Sequence, residues 1–305
     1  MSIQKITFKR IEVIAGEDGY FNYPSGICFN PDNDEFYITD LHNSRICSFN
    51  RKTHEKRTLT TRIMMNSGIQ HLKRPLGISY NPLVGLAVTD VEYNMIFVLD
   101  KDNDIWIPII EDYMVNNDRK KNLNLPSGVA VDDDGNFYTN DFLNNRICRI
   151  APDGRIDILI DSSIGNEDAD TNEIIKIDKP YGIYLSNNRL YFTDTGNHMI
   201  RYVQLNDNTL HSIRIDKDIL ELNSPIAVTL DNKGYIYVCE QRRIYCVDPN
   251  TNSCVFLINK DNWRNYMQCF HLKERLCYAG AIFVRNNREV YWLDTIKNLI
   301  YRITM

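Results

Sequence analysis

Tyr37-Ile-Thr-Asp40-Leu-His-Asn43-Ser-Arg45-Ile46 recurs further along the chain as Tyr138-Thr-Asn-Asp141-Phe-Leu-Asn144-Asn-Arg146-Ile147. In both copies a short apolar run ends on an acid, turns through Asn and resumes at Arg-Ile. The acid can be followed through six units as Asp40, Asp90, Asp141, Asp194, Glu240 and Asp294. Each unit opens roughly fifteen residues earlier, a spacing that marks an internal repeat. Four openings read Pro-x-Gly-Ile/Val, at Pro24, Pro75, Pro126 and Pro180, and two are degraded, at Pro225 and Ala279.

Within a unit every signal is β. In the third unit the run Gly128-Val-Ala-Val131 meets the turn Asp132-Asp-Asp-Gly135, and a second run follows at Phe137-Tyr-Thr139. The acid and its Asn form the next turn, because Asx side chains bond their own backbone two residues on. Runs at Arg146–Ile150 and Ile156–Ile160, separated by Pro152-Asp-Gly154, complete four antiparallel strands, termed a to d. Six such meanders predict an all-β, six-bladed propeller of four-stranded blades, with strand d as the outer edge. Pro108 fits an edge, since proline cannot donate to a ladder. The last unit stops at strand c, Leu299–Met305, while an orphan strand, Ile11–Ala15, precedes the first opening. The N-terminal strand is therefore expected to complete the last blade, making residues 1–305 one propeller domain.

The order Pro-x-Gly-Ile, Tyr-x-x-Asp, Asn-x-Arg-Ile resembles the NHL repeat family of six-bladed propellers across essentially the whole chain. That resemblance implies the fold. It leaves function open among RNA-binding domains, protein-interaction domains and a few propeller lyases and hydrolases.

Composition narrows the setting. Hydrophobic residues make up 43% and charged residues 25%, with a net charge of −5, so no general attraction to nucleic acid or anionic membrane follows. The N-terminus lacks an apolar signal core and no stretch is long enough to span a bilayer. Eight cysteines without a C-x-x-C pair, and no N-x-Ser/Thr sequon, read as buried small hydrophobes in an intracellular, cytoplasmic protein.

The six acids recur in step with the turn, which assigns them to turn structure rather than chemistry. In the amidating-lyase branch of the family a histidine would follow the opening Pro. Ser25, Leu76, Ser127, Tyr181, Ile226 and Gly280 stand there instead. A calcium-dependent hydrolase of this kind would line its channel with Glu, Asn and Asp, and that set is not found. His42, His198 and His271 fall in connections on one face and are the weak metal candidates, without ligand spacing. Asp168-Ala-Asp170-Thr-Asn172 resembles the start of a calcium loop but lacks its Gly and final carboxylate, and reads as a solvated acidic loop. No cofactor is called for.

The repeat breaks in unit five, where Glu240-Gln-Arg242-Arg243-Ile244 shortens the turn. The next d-to-a connection is the longest in the chain and spaces Trp263, Tyr266, Met267 and Phe270 as a short amphipathic helix. Its stripe either packs on blades five and six or anchors a partner. The leading expectation is thus a non-catalytic scaffold binding a protein through Trp263, Arg264, Tyr266, Lys273, Arg275, Arg242 and Arg243. The alternatives are a hydrolase or lyase at the central channel mouth, with a metal at the three histidines as one route, and an RNA-binding domain.

Overall fold

A computed structural model describes residues 9–110, 122–163, 165–215, 220–259, 263 and 278–305. Six antiparallel sheets run from strand a to strand d. Blade 1 comprises Pro24–Asn30, Glu35–Asp40, Arg45–Asn50 and Lys56–Thr58. Blade 2 comprises Pro75–Asn81, Gly85–Asp90, Met95–Asp100 and Ile105–Pro108, and blade 3 Pro126–Val131, Phe137–Asp141, Arg146–Ile150 and Ile156–Asp161. Blade 4 runs through Pro180–Ser186, Arg189–Asp194, Met199–Gln204 and Thr209–Ser212. Blade 5 holds Ala227–Leu230, Ile236–Glu240, Arg243–Asp248 and Ser253–Ile258.

Blade 6 takes strands a to c from Ala279–Arg285, Glu289–Asp294 and Leu299–Thr304, and its fourth strand is Arg10–Ala15 from the N-terminus. The register pairs Ile11 with Ile303 and Val13 with Tyr301. The predicted closure of the ring is thus present. Arg302 ties it further, since its Nε donates to Glu12 at 2.7 Å.

The core is split into layers, each shared by neighbouring blades. Tyr37 and Ile46 of blade 1 pack with Val88, Phe97 and Trp106 of blade 2. Phe36, Ile38 and Phe49 pack with Tyr291, Leu293 and Ile300 of blade 6. Burial on both faces explains why strand b reads as a continuous apolar run instead of alternating. Strand d of blade 3, Ile156–Asp161, is only half-buried because it lies at the outer margin.

The Gly of Pro-x-Gly-Ile follows from the same crowding. Neighbouring a strands converge on the axis, and a Cβ at Gly77 would lie 2.6 Å from Gly128 Cα. Only hydrogen fits there.

The expectation that strand d is the outermost strand of every blade fails at blade 2. A hairpin, Arg62–Met65 and Gly68–His71, adds to the sheet beyond Ile105–Pro108, pairing in parallel at Trp106–Ile63. Pro108 lies past that single pair and faces Phe97 on its other side, so its missing N–H interrupts nothing.

Candidate functional site

The turn acids are buried, from 0% to 2% exposed. Asp40 accepts the Asn22 N–H at 2.6 Å, Asn43 Nδ2 at 2.9 Å and Arg45 Nε at 2.7 Å. Asp141 repeats the set with Asn124, Asn144 and Arg146. Where strand c does not begin with Arg, the acid finds substitutes. Asp194 takes Arg201 Nε at 2.8 Å, two residues along the strand and therefore on the same face. Asp90 accepts four backbone amides, from Lys73, Arg74, Glu92 and Tyr93. In the shortened fifth turn the longer Glu240 still reaches the Asn223 N–H at 2.8 Å. Asp294 accepts the Tyr278 and Lys297 amides. Each acid joins its turn to the chain segment entering strand a of the same blade.

A second ring escaped the sequence reading. The residue before the acid bonds the a strand of the next blade: Thr39 Oγ1 donates to Leu76 O at 2.7 Å, and Asn140 Nδ2 to Tyr181 O at 2.7 Å. Thr39 also accepts the Gly26 N–H at 2.7 Å. In a strand Thr reads as simple β propensity, so only its recurrence at one position could have signalled a latch.

The a strands enclose a central channel of about 310 Å³. Its lining includes Ser25, Leu76, Ser127 and Tyr181 at one end, then Ile27, Ile78, Val129, Ile183, Val228 and Ile282. Among the described residues no side chain of Asp, Glu, Lys, Arg or His is part of this lining. Ser25 Oγ donates to Tyr23 O and Ser127 Oγ to Tyr181 O, so both hydroxyl protons are already used.

Tyr181 lies within electrostatic reach of Tyr23 and Tyr278, which immediately precede the a strands of blades 1 and 6. Burial pushes the Tyr181 hydroxyl well above the ordinary phenol range, and the charges of Tyr278, Tyr23 and Cys239 add to the effect. Tyr278 is raised in the same way, by burial first and then Tyr23. Tyr181 and Tyr278 therefore hold their protons at neutral pH. The His42 ring stacks on Tyr23 at 4.5 Å, and Phe142 packs edge-on against Tyr181 at 5.8 Å. The arrangement offers proton donors and an imidazole above an uncharged channel.

The other candidate residues disperse. His198 Nδ1 accepts the Ser224 N–H at 2.9 Å, doing what Asn94 and Asn145 do for Leu125 and Lys179. His42 and His198 thus sit in different turns, and His271 lies outside the described residues. Among the described residues no group of three or more His, Cys, Asp or Glu side chains is placed to hold a metal ion. The turn acids do not fit one, because their oxygens are taken by backbone amides, Asn and Arg.

The stretch read as a solvated acidic loop is docked instead. Asp168 is 1% exposed and bridges in parallel to Leu210 of blade 4. Its carboxylate accepts from Ser212 and lies 3.5 Å from Arg201. Asp170 faces His211 at 3.2 Å.

Trp263 is 5% exposed, packed edge-on against Trp292 and Tyr301. Arg243 donates to Glu240 at 2.6 Å, and Arg242 lies exposed beside it. Arg264, Tyr266, Lys273 and Arg275, with the helix expected there, lie outside the described residues.

Residues 21–49 match the NHL repeat family. No curated protein sequence matches the chain. Among solved structures the chain is similar to a gluconolactonase from Xanthomonas campestris, at 14% identity and a TM-score of 0.67, covering 96% of this chain and 89% of that one. It is also similar to virginiamycin B lyase from Staphylococcus aureus, at 16% identity and a TM-score of 0.62, covering 98% and 100%. A chain of a nidogen–laminin complex matches over less, at 19% identity and 0.57, covering 76% and 78%.

These matches correct the expectation of a non-catalytic, protein-binding scaffold. Two solved propellers similar to this chain over 96% and 98% of its length are a lactonase and a lyase, and the aromatic anchor on which that expectation rested, Trp263, is buried. No helix among the described residues is long and apolar enough to cross a membrane. From its repeats, its closed ring of four-stranded blades and these likenesses, the chain is a six-bladed β-propeller carrying an NHL repeat at residues 21–49.

Proposed function

We propose that this propeller is a hydrolase or lyase whose chemistry takes place at the channel mouth formed by Tyr23, Tyr181 and Tyr278. The observation that carries the reading is the pair of phenols held protonated, Tyr181 and Tyr278, with Tyr23 near them, at a channel whose described lining has no charged side chain. End-to-end likeness to a lactonase and a lyase supports it.

The roles follow from the groups. A phenol raised by burial keeps its proton at neutral pH and donates to a carbonyl or leaving oxygen as negative charge develops there. His42, stacked on Tyr23, is the general base for water or for an acidic C–H. In the hydrolytic version water adds to the carbonyl carbon, the carbon–oxygen bond breaks, and the departing oxygen takes a proton from the phenol side. Residues 1–305 are taken as a single domain. Five buried cysteines, each free among the described residues, support an intracellular setting.

The test is turnover of a panel of lactones and esters, gluconolactone included, followed by acid release. Tyr181→Phe and His42→Ala, each with an unchanged circular dichroism spectrum, are expected to lower kcat/KM by about 10²–10⁴-fold. No turnover across the panel, or full activity in both variants, would remove the reading.

A further inference from the structure

Among the described residues, blade 2 alone carries its sheet beyond strand d, through the hairpin Arg62–Met65 and Gly68–His71. The base of the hairpin is fixed. Trp106 Nε1 donates to Thr60 O at 2.8 Å, the Leu72 N–H to Thr61 O at 2.8 Å, and the Tyr93 hydroxyl to His71 O at 3.1 Å. Gly68–His71 is exposed at every residue and pairs with Arg62–Met65 on one side only; among the described residues its other edge has no partner strand. Such an edge is a template for one more strand.

The two faces of the extension differ. Ile63 and Trp106 pair across strands and are fully buried in the layer between blades 1 and 2. Met64 and Ile107 each follow that pair by one residue and so point to the opposite face. Ile69 stands directly across from Met64. Ile107, Met64 and Ile69 therefore form one row over three strands, 40%, 46% and 49% exposed, and the row runs out at the free edge.

Arg62 and its cross-strand partner His71 lie two residues along on the same face. Arg62 is exposed and, among the described residues, takes part in no ion pair. From Leu59 to Arg74 the chain has Arg62, Lys73 and Arg74 and no Asp or Glu, although the whole protein carries a net charge of −5. An incoming strand would thus meet an apolar row and a cation two residues apart, the spacing at which a strand repeats its own face. A second copy of this hairpin would bring a second Arg62 and no acid. A lipid surface would leave the backbone groups of the edge unpaired.

We infer that the edge Gly68–His71 takes up an extended acidic peptide segment as a further strand of blade 2, with an apolar side chain continuing the row Ile107–Met64–Ile69 and a carboxylate two residues from it meeting Arg62. The backbone of the edge supplies affinity, and the row with Arg62 supplies selectivity. The inference stands on the hairpin and is independent of the chemistry at the channel mouth.

The probe is a fluorescein-labelled peptide, Ser-Glu-Thr-Val-Thr-Glu-Thr-Val-Ser, which sets Glu and Val alternately on one face, beside a counterpart with Lys for Glu. Anisotropy titrations use the intact protein. The acidic peptide is expected to bind at least about tenfold tighter than the Lys peptide, and Arg62→Glu, on an exposed position, to reverse that order. Of two acidic peptides N-methylated at alternate residues, one along each edge, at least one should lose binding by about tenfold or more. No binding of the acidic peptide at millimolar concentration, an order that Arg62→Glu leaves unchanged, or full binding by both methylated peptides would overturn the inference. So would two other outcomes: sedimentation showing a dimer of the protein alone that Ile69→Lys dissolves, which gives the edge to a second copy, or adsorption to phosphatidylserine vesicles that Arg62→Glu abolishes, which gives the face to lipid.

Discussion

Asp141 and Asp90 occupy the same place in their blades and are held by different chemistry. Asp141 faces Arg146, itself 5% exposed, through Nε at 2.6 Å. Asp141→Ala takes the carboxylate from a buried guanidinium and should cost about 3–5 kcal/mol, read from urea unfolding. Asp90→Ala removes an acceptor of backbone amides with no buried cation beside it, and should cost less.

Burial raises the Asp90 carboxyl, outweighing the four amides that pull it down. A folded value above the unfolded one means that the native state holds the proton more tightly. The resulting stabilisation is complete below the ordinary value of 3.8 and is lost as pH rises through the folded value. Asp90→Asn should therefore flatten the fall in stability just above pH 3.8, whatever its absolute cost.

Cysteine reactivity gives a parallel check. Burial pushes the Cys148 and Cys239 thiols up to about 12, so neither is nucleophilic near neutral pH. Native protein should leave both unlabelled by iodoacetamide under conditions that label them fully once unfolded.

The acid–Asn–Arg set was legible because its three members are close in sequence. The Thr39 latch was not, since its partner, Leu76 O, is a backbone atom of another blade.

Among the elements, the strand Arg10–Ala15 governs the ring. Counting strands exposed its role: the last unit lacked one and the first had one to spare. Ile11 is 2% exposed within the layer between blades 5 and 6. Ile11→Ala should cost about 2–5 kcal/mol. Deleting residues through Ala15 should lower Tm on the order of 10 °C, because it opens an edge and uncovers that layer. A truncated protein that melts like the full chain would show that closure contributes little.

The hairpin Arg62–His71 was missed for the opposite reason. Asn66-Ser-Gly68 is a turn signal, but the stretch stands outside the repeat. The long connection around Trp263 shows the same limit: an aromatic stripe reports burial against something without naming it. Here Trp263 packs on Trp292 and Tyr301, inside the molecule.

At the scale of the whole molecule, the repeat makes the architecture readable and the activity obscure. Periodic positions are those that build every blade, and chemistry falls on positions where the copies differ. The residue after the opening Pro is Ser25, Leu76, Ser127, Tyr181 and Ile226 in turn. Searched for histidine, this set looked empty. Tyr181 gains meaning only when the ring closes and brings Tyr23 and Tyr278, far apart in sequence, within electrostatic reach of it.

The central claim is that these phenols carry chemistry rather than packing. The most direct measurement is the pH dependence of kcat/KM for lactone opening by wild type and Tyr181→Phe. The account predicts a wild-type profile that stays high through mildly alkaline pH, because the Tyr181 proton is held well above the usual phenol range, and a variant slowed by about 10²–10⁴-fold at every pH. A Tyr181→Phe variant that keeps wild-type activity and profile would contradict it.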